Sequence, residues 1–481
     1  MSDTALPISW ATVKLSEVGT WRGGGTPSTS NPSFWTGGTI PWVSPKDMKL
    51  PRLSTAQDLI TESAVESSAT NLVAEGSVLL VTRSGILAHS LPIAVNLVPV
   101  ALNQDIKAVT PHSITDAEFL QLAFQRFERD ILNNCRKGGT TVHSIEFPAL
   151  QDFTIPLPPL PEQKRIVAKI EELFSELEAG EESLRVARRQ LGVYRQSLLK
   201  QAFEGKLTAL WRTQNPAKLE SPAKLPETEG SHALPGGWRW IKLGSAIEEP
   251  AYGTSKKCSY ESGGVGVLRI PNVVNGAIEA DDLKFAEFTD DERKSYELRS
   301  GDLLLIRSNG SVSIVGRCAI VEPKHTGFLY AGYLIRLRPR STLLDSRFVL
   351  RQFASHRLRS QIEFSAKSTS GVNNINSKEI QRLVIAIPSL PEQQEIVRLL
   401  DSAVEAIERN ERELDAALQR SEALRQAILK KAFSGRLVPQ DPADEPASQL
   451  LARLRKEQES GVATTALSAK KKAVRTTRAP A

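Results

Sequence analysis

The sequence predicts an α+β protein assembled twice over. Two mixed α/β domains are separated by two long helices that pair as an antiparallel coiled coil, with a pseudo-two-fold internal repeat. Three observations carry this. Residues 155–207 and 385–437 align without a gap, each position of the second copy lying 230 residues after its counterpart. Leu160-Pro161-Glu162-Gln163 returns as Leu390-Pro391-Glu392-Gln393, and Ala202-Phe203-Glu204-Gly205 as Ala432-Phe433-Ser434-Gly435. Within each copy the apolar residues step by four and three, the period of a coiled-coil seam. The flanking segments repeat a frame as well. Leu6-Pro7, Trp10 and Lys14-Leu15 return as Leu234-Pro235, Trp238 and Lys242-Leu243, and Gly76-Ser77-Val78-Leu79-Leu80 returns as Gly301-Asp302-Leu303-Leu304-Leu305.

Residues 1–154 form the first domain. Apolar runs at 76–82, 92–98 and 105–109 predict strands, and 115–133 predicts a helix opened by a Ser/Thr/Asp cluster. Residues 21–31 and 136–141 are polar and glycine-rich and predict loops. Residues 155–207 are the first helical spacer. Pro161 suits a first helical turn and Gly205 a left-handed cap. The seam is Ile166, Ile170, Leu173, Leu177, Leu184, Leu191 and Leu198. Residues 208–233, rich in Pro, Glu, Lys and Ser, predict a linker. The second domain spans 234–384 and the second spacer 385–437, with seam residues Ile396, Leu400, Ile407, Leu414, Leu424 and Ile428. Where the seam skips a step, Gly180 is expected to face Asn410, a weak position that fixes register. About 42 residues of helix span roughly 60 Å. Because the ends of a compact domain lie close together, the second helix should start where the first stopped and run back. Residues 438–460 predict a short amphipathic helix around 447–454, packed on its own chain or on a partner, and 461–481 a disordered basic tail.

At 481 residues the chain is too long for one core. A net charge of +6 is compatible with nucleic acid without demanding it. No apolar run reaches the eighteen or so residues of a membrane span, so no membrane association is expected, and the N-terminus lacks the pattern of a signal peptide. Cys135, Cys258 and Cys318 are odd in number and far apart, which suggests a reducing cytoplasm and no metal or disulfide framework. No phosphate-binding glycine loop, dinucleotide fingerprint, zinc motif or nucleophile elbow occurs, so no catalytic residue is expected. Asn31-Pro32-Ser33-Phe34 resembles a loop of amino-methyltransferases. It follows a polar segment rather than an apolar strand, and no cofactor loop accompanies it, so it reads as a turn.

What remains is a set of polar and basic loops. The candidate DNA contacts are Arg22, Thr26, Lys46, Arg83, Ser84, Lys137 and Thr140 in the first domain. In the second they are Lys256, Arg307, Ser308, Asn309, Lys367, Ser370 and Asn373. Such side chains contact phosphates and read base edges, although surface loops are rich in them anyway. Arg83 and Arg307 stand out: each closes an apolar strand after a matching glycine, so rigid strands should present them at equivalent places.

With the repeat laid out, the chain resembles the specificity subunits of type I restriction-modification systems. The residues that carry this are 158–163 (PPLPEQ), 389–393 (SLPEQ), the long helices after them and the Ala-Phe-x-Gly-x-Leu endings at 202–207 and 432–437. Gly24-Gly25-Thr26-Pro27-Ser28, Trp42, Lys46-Asp47, Gly301-Asp302 and Arg307-Ser308-Asn309-Gly310-Ser311 are similar to recognition domains of that family. The resemblance implies two target recognition domains, each reading one half of a bipartite sequence in double-stranded DNA. It implies helices that set the half-site spacing and dock two methyltransferase subunits, which carry S-adenosylmethionine and methylate adenine. Endonuclease/translocase subunits, using ATP and Mg, would join for restriction. The chain itself would be non-catalytic, without a cofactor, and cytoplasmic. Base-reading positions vary with the target in this family, so none is carried over. The alternatives are a specificity subunit of a related fused nuclease–methylase system, a coiled-coil scaffold with no DNA role, and an autonomous methyltransferase using the Asn31 loop.

Overall fold

A computed structural model describes residues 6–137, 142–220, 225–230, 232–261, 263–366 and 372–456. Thr140, Lys367, Ser370 and the basic tail lie outside the described residues. The chain divides into two compact units, Met1–Ser183 with the chain from Ala417 onward, and Leu184–Ala416. The division passes through both long helices, Leu160–Phe203 and Leu390–Ala432. Each unit therefore holds one domain, the first half of one helix and the second half of the other, and within each unit the two halves run antiparallel.

In the first unit the apolar run Val78–Val81 is buried along its whole length because its sheet is covered on both faces. Val78 and Leu80 face a core built on Phe119 and Phe124, while Leu79 and Val81 face a second cluster with Val43 and Leu102. The sheet order is Gly19–Gly23, Ile106–Pro111, Val78–Val81, Ile93–Asn96, Arg52–Leu53. A second sheet orders Asp58–Ile60, Ile40–Val43, Val100–Leu102, Leu72–Val73. Residues 21–23 and 136–137, which the glycine-rich composition suggested were loop, belong to strands, because their backbones pair with Ile106–Pro111 and His143–Ile145. Gly24 and Gly25 remain loop. A Cβ on Gly24 would come within 2.4 Å of the Leu102 backbone, so only glycine lets the loop lie on that strand. Asn31 caps a short 3-10 turn over Pro32–Phe34, accepting from the Ser33 N–H.

The second unit repeats the plan. Leu303–Ile306 is again buried on both faces, between a core holding Phe348 and one holding Tyr330. Ala11–Lys14 pairs antiparallel with Thr154–Leu157, and Arg239–Lys242 with Val384–Ile387, so each domain clamps the strand that feeds its long helix.

The Pro-Glu-Gln motif is explained by what it holds. Gln163 accepts from the Asp116 N–H at 2.8 Å and donates to the carbonyls of Ile114 and Pro158, each at 2.9 Å. Gln393 makes the same three bonds to Asp345, Leu343 and Pro388. Asp116 and Asp345 in turn cap the helices Ala117–Cys135 and Ser346–Phe353. Glu162 accepts from the Trp10 indole and the Gln440 amide, and Glu392 from Thr208 and Arg212. That last pairing revises the expected linker. Residues 209–214 are helical, Thr208 is buried, and Arg212 neutralises the buried Glu392.

Burial along the expected seam is uneven. Ile166, Ile170, Ile396 and Leu400 are buried, but in the domain cores at the helix ends, alongside Phe433 in one unit and Phe203 in the other. Leu173, Leu177, Leu184, Leu191, Leu414 and Ile428 are half-buried, and Ile407 and Leu198 are buried. Leu424 is 51% exposed and Leu429, one position from the predicted Ile428, is 2% exposed. A 3.6-residue helix drifts off a 3.5 repeat, and here it follows the domain core rather than the heptad. Gly180 does not face Asn410. Glu181 pairs with Arg425 in one unit and Glu411 with Arg195 in the other. The turn opposite Gly180 is therefore that of Arg425, and the turn opposite Asn410 is that of Arg195. The C-terminal helix, residues 447–456, sits on its own chain, with Leu451 and Leu454 in the first unit's core.

Candidate nucleic-acid interface

In the first domain a small sheet gathers three of the predicted residues. Lys137 lies opposite Ser144, Ser144 opposite Arg83, and His143 opposite Ser84. Arg83 is 65% exposed, with its Nε 3.9 Å from Asp105. Ser84 caps a 3-10 turn over Gly85–Ala88. Arg22 is exposed on the strand Gly19–Gly23, opposite Ala108. The other two stand apart from this cluster. The Thr26 hydroxyl donates to Gln104. Lys46 donates to Asp58 at 2.8 Å, and that hydrogen bond holds its ammonium above the ordinary lysine value.

In the second domain Ser308 lies opposite Asn374 and Asn309 opposite Asn373. Asn309 accepts from the Ser311 N–H, and Asn373 donates to the Gly310 carbonyl, which fixes the tip of this loop pair. The Arg307 guanidinium lies 4.6 Å over the Tyr252 ring, and its Nε donates to Asn374 at 3.2 Å. Tyr252 is held in turn by the Ser377 N–H at 3.0 Å. Lys256 sits elsewhere, 3.0 Å from Glu292 and over the Phe288 ring.

The two arginines are not equivalent, contrary to the expectation from the matching glycines. Ile145 donates to the Thr82 carbonyl and Ile375 to that of Arg307. Ser144 pairs with Arg83 and Asn374 with Ser308. Register thus matches Arg307 with Thr82, and Arg83 with Ser308. One residue along a strand turns a side chain to the other face. The matching glycines themselves serve the fold. Gly76 and Gly301 take φ of 75° and 91°, where a Cβ is strained. Beside Gly301, the buried Asp302 receives Arg338 through two bonds of 2.7 Å. Tyr252 and Ser377 were missed in the sequence. Tyr252 lies in an isolated Ala-Tyr-Gly-Thr stretch, and only the fold brings it under Arg307.

Among the described residues no group of three or more His, Cys, Asp or Glu side chains could hold a metal ion. Burial pushes the Cys318 thiol up to about 12 and raises Cys135 and Cys258 as well, away from the reactive thiolate range. No described helix is long and apolar enough to cross a membrane.

Comparison with known proteins agrees with this geometry. The family described as "Type I restriction modification DNA specificity domain" matches residues 7–185 and 236–419, well over half of the chain. The chain is 31% identical over 310 residues to the EcoKI specificity subunit of Escherichia coli (strain K12), covering 64% of this chain and 63% of that one. It is 44% identical over 160 residues to the EcoR124I/EcoR124II specificity subunit of Escherichia coli, covering 33% and 39%. The match thus spans less than two thirds of the length of either relative. Among solved structures, a chain from work on complex assembly and conformational transition of the type I R-M system superposes with a TM-score of 0.67 at 22% identity, covering 90% of this chain and all of that one. The HsdS subunit from Thermoanaerobacter tengcongensis superposes with a TM-score of 0.53 at 21% identity, covering 91% and 99%. These likenesses establish the fold.

Proposed function

Because the chain belongs to the type I restriction modification DNA specificity domain family, we propose that it is the DNA-reading, non-catalytic subunit of a type I restriction-modification complex. Each domain reads one half of a split target in double-stranded DNA. The paired helices set the spacing of the halves and dock two methyltransferase subunits, which bring S-adenosylmethionine. Endonuclease/translocase subunits bring ATP and Mg. The complex works in the cytoplasm. One observation carries the reading: two domains with one backbone frame present different polar side chains at register-matched places. Arg83 and Ser84 stand in one where Ser308 and Asn309 stand in the other. A shared frame with unlike side chains is what reading two unlike half-sites requires.

Methylation-aware sequencing of the host genome tests this. A split adenine motif should be present with the gene intact and vanish when it is deleted. An unchanged methylation pattern after deletion would reject the reading.

A further inference from the structure

Both domains carry a cation on an aromatic ring at the same corner of the central sheet, yet build it from exchanged positions. In the second domain the ring is Tyr252 and the cation Arg307, 4.6 Å apart. In the first the cation is Lys107, 5.3 Å from the ring centre of Phe147, which packs edge-on against Trp21. Register fixes the correspondence. Lys107 pairs with Gly23 on one side and Leu80 on the other, whereas Ile335 pairs with Tyr252 and Leu305. Hence Tyr252 stands where Gly23 does, and Ile335 where Lys107 does. Arg307 matches Thr82 by the backbone bonds given above, and Ser377 opens the short helix that Phe147 opens in the other domain. All four positions have changed residue type, and the cation on a ring has survived.

The amine and the ring take corresponding space. A Cβ on Gly23 would lie 2.5 Å from the Lys107 Nζ, so the lysine amine fills the space from which the Tyr252 side chain rises in the other domain. In both domains, the cation is only partly buried and its position is restrained, by Phe147 for Lys107 and by Tyr252 with Asn374 for Arg307.

A feature kept in both domains while their loops diverge cannot encode two different half-sites. The DNA component common to both halves is the phosphate backbone. Resting on the reading above, we propose that Lys107 and Arg307 are corresponding phosphate contacts, one per domain, that fix how each domain sits on its half-site. Phe147 and Tyr252 are their positioning residues. This narrows Arg307 from a candidate DNA contact of either kind to a backbone anchor, and adds Lys107, which no motif had marked.

The test is binding by the full-length chain to two duplexes of about 30 base pairs, one carrying the motif methylated in the host and one of scrambled sequence, across a salt titration. Lys107→Gln and Arg307→Gln should each weaken both duplexes roughly tenfold, the weight of one charge-assisted hydrogen bond. Each should also make the salt slope shallower by about 0.9. Arg307→Lys should keep most of the affinity and slope, since a phosphate accepts a point charge whereas two-pronged reading of guanine does not. Loss confined to the motif duplex, or no loss on either, would overturn the assignment. So would an Arg307→Lys protein as weak as Arg307→Gln. If the unaltered chain prefers neither duplex, it is the reading of the chain as a DNA-specificity subunit that falls.

Discussion

Gln163 and Gln393 tie each domain to its helix, and two of the three partners of each lie 47 to 50 positions away in the chain. Their repetition was plain in the sequence. Their role was not, because a side chain bonded to distant backbone leaves no local pattern. The neighbouring Glu162 offers a sharper test. Burial pushes its carboxyl above the ordinary value, against the hydrogen bonds from Gln440 and Trp10, with Arg165 pulling it down and Asp444 pushing it up. A carboxyl raised on folding binds its proton more tightly in the native state. Its stability share is therefore present below the ordinary carboxylate range and lost as pH rises through the raised value. Glu162→Gln stays neutral throughout. Its thermal stability relative to the unaltered protein should improve as pH rises from about 4 to about 7. A difference that stays flat over that range would count against the buried, raised carboxyl.

For the elements, the long helices follow from the period of their apolar residues and from Pro161, Pro391, Gly205 and Gly435 at their ends. Gly205 and Gly435 take φ of 72° and 69°, as left-handed caps require. Register was recoverable in part. Arg195 and Glu411 return as Arg425 and Glu181 at the repeat offset, the mark of an antiparallel pair that satisfies itself twice. What the heptad misjudged was the end of the seam, because there each helix leaves its partner and packs on a domain. Leu424→Ala should change stability by no more than about 0.5 kcal/mol. Leu429→Ala should cost about 2–5 kcal/mol through the cavity it leaves. Urea midpoints measure both, and equal effects would restore Leu424 to the seam.

The molecule as a whole contains two units, and the first is closed by a segment that comes last in sequence. Arg165 meets Asp444 at 2.6 Å, Ala447 donates to the Ser9 carbonyl, and Leu451 shares a core with Trp10, Ile166 and Phe433. Leu451→Asp would bury an unpaired charge there. Limited proteolysis should then cut first within residues 6–183, leaving fragments of 184–416 resistant, whereas uniform digestion would mean that the helix is dispensable to its unit. The sequence by itself determined that there are two copies of one frame, where each long helix starts and stops, and which runs are core strands, since periodicity and caps are written within a few neighbouring residues. Only the tertiary structure decided that the short helix after the second spacer closes the core of the first unit, that Arg307 corresponds to Thr82 rather than Arg83, and that a lysine on phenylalanine answers an arginine on tyrosine. Those depend on which buried surfaces meet and in what strand register, and shifting by a single residue changes the face a side chain occupies without changing the local pattern.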